Sequence, residues 1–193
     1  MVFENGSRAI LEGGLAYDRC LIGIVTHAGQ DEDLSDHDIH EAGQVYKILR
    51  TQVDVVLPGG VAILNADDPL LAGMAGLCDG EVILCAMDAE NPLLKNHVEQ
   101  GGRAVMARDG GLWLITRDDQ IRLCRLTDIP LIEQGESCSV LPAVAAAWFL
   151  GIPREEIHSG IETFLAEAAL SAAGLPEDSP NPHDACQSAG VAG

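Results

Sequence analysis

The run Leu57-Pro58-Gly59-Gly60-Val61-Ala62-Ile63-Leu64-Asn65-Ala66-Asp67-Asp68-Pro69 constrains the fold more than any other stretch of this chain. It reads as a turn, a short buried strand, and an Asn/Asp cluster placed where a helix begins. In an open α/β sheet, ligands sit in the crevice at the carboxyl ends of the strands. Asn65, Asp67 and Asp68 lie just past Val61–Leu64 and so read as a small-molecule site, most simply for a nucleotide base and ribose. The competing reading is a strand end followed by a helix cap, because Asp before Pro is common at helix starts. A phosphate loop of the form G-x-x-x-x-G-K-[ST] is absent from the sequence. The only lysines are Lys47 and Lys95, and neither stands in a Gly-rich loop. On this reading the chain carries half of a nucleotide site.

The flanking pattern is α/β. Residues 21–25 (LIGIV) form a continuous apolar run, expected for a strand buried on both faces of a parallel sheet. From Glu41, the positions Ala42, Val45, Leu49, Val53 and Val56 recur at helical spacing. Pro58-Gly59-Gly60 is expected to stop that helix and turn the chain into Val61–Leu64. Asp67 or Asp68 can cap the next helix, with Pro69 in its first turn. Gly80 leads into a strand at Glu81–Cys85, and Asn91-Pro92 starts a helix that Gly101-Gly102 ends. This order predicts a mostly parallel sheet flanked by helices. Arg103–Met106, Leu112–Thr116 and Ile121–Arg125 then read as an appended antiparallel meander, separated by the turns at 108–111 and 117–120. Two helices follow. One spans Leu141–Leu150 and holds Trp148 as a core residue; the other starts at Pro153 with Ile157, Ile161, Phe164 and Leu165 on one face. Residues 168–193 lack periodicity and read as a disordered tail after a single domain at 1–167.

Charge narrows the partners. Against 30 acidic residues there are 11 Lys plus Arg, a net charge of −19. Nucleic acid, whose binding rests on phosphate neutralisation, is excluded on this reading, and so is an anionic membrane surface. The six cysteines show no C-x-x-C pair, and no apolar stretch reaches spanning length. A reduced, soluble, cytoplasmic protein is expected. The stretch His27 to His40 is rich in metal-ligand types, and a helix could bring His37 and His40 to one face. Its spacing fixes no coordination shell, so it reads first as an acidic solvated loop.

Several of these stretches together resemble the ATP-binding central domain of cyanophycin synthetases, within the Mur ligase superfamily. They are Ala9 to Cys20, ending in Tyr17-Asp18-Arg19-Cys20, and Val53 to Pro69 with its Asn-Ala-Asp-Asp-Pro block. Gly101-Gly102-Arg103-Ala104-Val105 and Leu141 to Phe164 complete the likeness, which covers about residues 4–167. The resemblance implies an incomplete Mur-ligase-like domain. It also implies a family reaction in which ATP converts a carboxylate to an acyl phosphate that an amine attacks, adding aspartate and arginine to a polymer. ATP and Mg2+ are the cofactors so implied, with Asn65, Asp67 and Asp68 toward the nucleotide and Glu4 and Asp33 as the metal ligands.

The sequence departs from the family at positions that matter. The family's Thr-Asn is Thr26-His27, its metal-binding histidine aligns with Asp33, its lysine with Leu49, and an asparagine near the adenine with Ser139. The expectation is therefore a fragment of an amide-forming ligase that is not catalytic on its own. Such a fragment exposes a sheet edge, so a homo-oligomer or a companion chain bearing the phosphate loop is the expected partner. The alternatives are a non-catalytic nucleotide-pocket or oligomerisation module, or a gene remnant without function.

Overall fold

The computed structural model describes residues 1–28, 33–129, 132 and 137–172. Six strands form one sheet in chain order: β1 (Cys20–Val25), β2 (Val56–Asn65), β3 (Glu81–Ala86), β4 (Arg103–Arg108), β5 (Gly111–Ile115) and β6 (Gln120–Arg125). β1 to β4 are parallel; β5 and β6 add in antiparallel fashion. The helices are α1 (Ser7–Gly13), α2 (Ala42–Leu49), α3 (Thr51–Asp54), α4 (Pro69–Ala72), α5 (Pro92–Glu99), α6 (Ser137–Phe149) and α7 (Arg154–Ala172). This is the mixed α/β architecture, parallel with an antiparallel meander, that the pattern anticipates. Among the described residues no helix is long and apolar enough to cross a membrane.

Strand alternation divides the core into two layers. Ala62, Leu64, Leu84, Ala86, Ala104 and Met106 face the layer of α2 to α5. Val61, Ile63, Ile83, Cys85 and Val105 face α6, which contributes Leu141, Val144 and Ala145. Successive crossovers of one hand between neighbouring parallel strands stack their helices on one face. The second face is therefore left for α6, which returns over β2, β3 and β4 after the meander. Each fully buried Ile or Leu in these layers contributes about 1.5–3 kcal/mol.

Three expectations need correction. First, β1 is not covered on both faces. It is an edge strand, and Leu21 (46%) and Ile24 (37%) remain exposed, Ile24 on the face where α6 packs over β2 to β4. Second, the helix begun at Glu41 does not run to Val56. It breaks at Arg50 into α2 and the short α3, and Val56 already belongs to β2. Residues 57–60 are consequently an irregular stretch within β2. Cys20 pairs with Val56 and Ile22 with Val61, so they stand opposite Leu21 alone. Pro58 has no N–H for a ladder, which suits such an excursion. Third, Trp148 packs against the second core layer as expected but is only half-buried. The Arg103 guanidinium lies 4.8 Å from its ring centroid and is itself paired with Glu81, holding the indole at the sheet margin by a cation–π contact.

Asn91 caps α5 and Asp68 caps α4, each with the expected proline at the first turn. α6 starts at Ser137, earlier than anticipated, and encloses Pro142. α7 extends to Ala172, past the start of the expected tail, and residues 173–193 lie outside the described residues.

Candidate functional site

The carboxyl ends of β1, β2 and β3 are laced together by the polar cluster. Asn65, the last residue of β2, donates from Nδ2 to the Thr26 carbonyl just beyond β1 (3.0 Å). Its Oδ1 accepts from the Asp67 N–H (3.0 Å). The Asp67 carboxylate accepts from the N–H groups of Met87 (2.7 Å) and Asp88 (3.4 Å), immediately after β3. Asp68 Oδ1 accepts from the Leu70 N–H (2.9 Å) and caps α4. All three residues thus hold the backbone of the rim, while the carboxylates keep further lone pairs for a ligand.

Asn91 locks the same rim and was not singled out as a site residue from sequence. It is buried; its Nδ2 donates to the Ala66 carbonyl (2.7 Å), and its Oδ1 accepts from the Leu93 and Leu94 N–H groups. The Asn-Pro pair signals the cap, but no local pattern signals the bond to Ala66.

A cleft of about 450 Å³ opens at the carboxyl end of β1. Glu4, Asn5 and Ser7 form one wall, Thr26 and His27 the floor, and Leu49 and Gln52 the wall from α2 and α3. Its size is that of small-ligand sites. Gln52 and Ser7 are buried, and the Asn5 amide donates to the Tyr17 hydroxyl (3.0 Å) and toward Gln52 Oε1 (3.4 Å). Burial, and then the neighbouring Cys20, raise the Tyr17 pKa, which keeps its hydroxyl protonated. Thr26 Oγ1 lies 2.8 Å from His27 Nδ1.

The cleft brings together positions that the family resemblance names separately, among them Glu4, Thr26, His27 and Leu49. Asn65 adjoins it through Thr26. Asp67 and Asp68 lie farther along the rim and do not line it. Ser139 lies elsewhere, in an apolar hollow of about 410 Å³ between α6 and α7. Asn5, Gly6 and Ser7, which stand where the resembled family carries Thr-Ala-Arg, line the cleft too; Gln52 carried no sequence signal.

The structure does not bring the two implied magnesium ligands into one site: Glu4 lines the cleft. Asp33 lies outside the cleft lining, and its Oδ1 accepts from the Ser35 N–H (3.0 Å). That bond holds its carboxyl below the usual range. His37 closes a 3-10 turn (Ser35–His37), and Asp38 at φ 56° is left-handed, so His37 and His40 share no helix face. Asp31 and Glu32 lie outside the described residues. Among the described residues no group of three or more His, Cys, Asp or Glu could hold a metal ion. Cys85 and Cys124 serve as packing: burial, then Asp67, push the Cys85 thiol up, and burial, then Asp128, push Cys124 up to about 11.

No protein-family model matches the chain. The chain is 33% identical over 171 residues to the cyanophycin synthetase of Synechocystis sp., covering 86% of this chain and 20% of that protein. The cyanophycin synthetase of Crocosphaera subtropica is 32% identical over 171 residues, with the same coverage. A UDP-N-acetylmuramoyl-L-alanyl-D-glutamate--2,6-diaminopimelate ligase of Halalkalibacterium halodurans is 29% identical over 132 residues, 66% of this chain and 25% of that protein. These synthetases are homologues of the chain, which spans about a fifth of the length of the curated relatives it matches.

Proposed function

We propose, from this homology, that the chain is a segment of an ATP-dependent, amide-forming ligase of the cyanophycin synthetase type, which adds aspartate and arginine. Its part is the base-and-ribose side of the nucleotide site, and alone it binds without catalysing. The observation that carries this reading is the cleft at the end of β1, where Glu4, Thr26, His27 and Leu49 meet beside Asn65.

In such a ligase a carboxylate oxygen attacks the γ-phosphorus and ADP leaves. The amine then attacks the acyl carbonyl and phosphate leaves. Both steps depend on positioning and on charge stabilisation along the triphosphate. This chain offers neither a phosphate loop nor a lysine in the cleft, where Leu49 is apolar and buried. Its net charge of −19 also opposes a triphosphate. The phosphate contacts belong to another segment of the assembled enzyme. The exposed margin of β1, with Leu21 and Ile24, is where we place that segment, whether from a longer chain, a companion or a second copy.

A thermal melt tests the binding half of the reading. A ligand at about a hundred times its dissociation constant adds roughly 2.7 kcal/mol. ATP at millimolar concentration is expected to raise the melting temperature measurably, with no ADP released in the presence of aspartate, arginine and primer. No shift with any adenine nucleotide sinks the binding claim. ADP release coupled to amide formation sinks the claim of inertness.

A further inference from the structure

Arg8 stands on α1, the helix that follows the Glu4–Ser7 wall of the cleft. Its guanidinium reaches across to the loop after β1 and takes Asp36 in both arms, Nη1 to Oδ2 at 2.7 Å and Nη2 to Oδ1 at 3.0 Å. The same Nη2 donates to the Asp33 carbonyl at 2.5 Å. Glu12, one turn along α1, lies 3.5 Å from Nη1. His37 Nε2 lies 3.5 Å from Glu12 and 3.8 Å from Asp36. Among the described residues, one guanidinium therefore gathers the Asp36 and Glu12 carboxylates and the Asp33 carbonyl from two separate segments.

Planar bidentate pairing fixes orientation as well as distance, which a point charge does not. The clasp sits on the loop where the family resemblance expects a metal-binding side chain, and there one oxygen of the Asp33 carboxylate accepts from the Ser35 N–H while its backbone carbonyl accepts from Arg8. We propose that Arg8 is the resident cation of this loop. It fastens the 33–37 turn to α1, and so sets the cleft wall, without a divalent metal. Arg8 is a positioning residue on this account, and the proposal does not rest on nucleotide binding.

The test is amide hydrogen exchange on the nucleotide-free protein, in EDTA and in millimolar Mg2+ at matched ionic strength. The wild-type protein is expected to exchange identically in both. Arg8→Gln should accelerate exchange in residues 7–13 and 33–41 together, roughly three- to fivefold, and leave β2 to β4 unchanged. Arg8→Lys, which keeps the charge but loses the fork, should restore only part of the protection. Asp36→Asn breaks the clasp from the loop side and should loosen the same two segments, so the test survives if Arg8→Gln fails to fold. Slower exchange of the wild-type loop in Mg2+ overturns the proposal. So does unchanged exchange in both Arg8→Gln and Asp36→Asn.

Discussion

Asn91→Ala is expected to destabilise the fold by about 2–3 kcal/mol, because it strips a buried hub of its partners. The Ala66 carbonyl loses its donor, and the Leu93 and Leu94 N–H groups lose their acceptor. Loss of an Asn cap alone typically costs about 1 kcal/mol; the buried carbonyl adds the rest. Asn91→Asp separates the two parts. It keeps the acceptor over the α5 amides but sets a carboxylate oxygen against the Ala66 carbonyl. It should therefore remain destabilised, while Asn91→Ser recovers part of the cap. Urea unfolding followed by circular dichroism measures all three. Equal stability of Asn91→Ala and wild type would mean that the rim is not held in this way.

Gly80→Ala is expected to cost about 2–4 kcal/mol, for a steric reason that sequence does not display. A Cβ at Gly80 would lie 2.7 Å from the Leu57 carbonyl oxygen and closer still to that of Gly60. Both obstacles are backbone, pinned by the register jump between Cys20–Val56 and Ile22–Val61, so neither can rotate away. Gly59→Ala, within the same irregular stretch, meets nothing within 4 Å and serves as the control. Its stability should match wild type within about 0.5 kcal/mol. If the two variants unfold at the same denaturant concentration, residues 57–60 do not pack as described.

What the sequence displayed and what it hid divide along a physical line. Local signals were legible: the apolar run Val61–Leu64, the proline after Asp68, and Asn91-Pro92 before a helix each act within a few residues. The meander was legible because Asp109-Gly110 marks a tight turn, and both residues adopt positive φ there. Pro58-Gly59-Gly60 misled because a turn signature and a strand irregularity use the same residues for the same reason, a backbone without a regular ladder. The coverage of β1 was misjudged because an apolar run does not report whether a helix lies above it. At the rim, the Asn-Ala-Asp-Asp-Pro block made the polar cluster and the Asp68 cap legible. The bond from Asn91 to Ala66 spans 25 positions and leaves no periodic trace. Asn5 and Gln52 are likewise joined to the cleft across distant sequence. Residue type pointed to Asp33 as a ligand; its place outside the cleft lining, in a turn with Ser35, leaves no trace in the local pattern.

On the proposed function, this segment meets the base and ribose of a nucleotide and not its phosphates. The most direct measurement is a backbone-amide NMR titration with adenosine, ATP and tripolyphosphate in turn, in EDTA. We predict that adenosine and ATP shift the same amides, those of Thr26, His27, Asn65 and Asp67, with comparable affinity, and that tripolyphosphate shifts none. Binding of tripolyphosphate, or a response to ATP that adenosine fails to reproduce, would contradict the assignment of this chain to the base-and-ribose side.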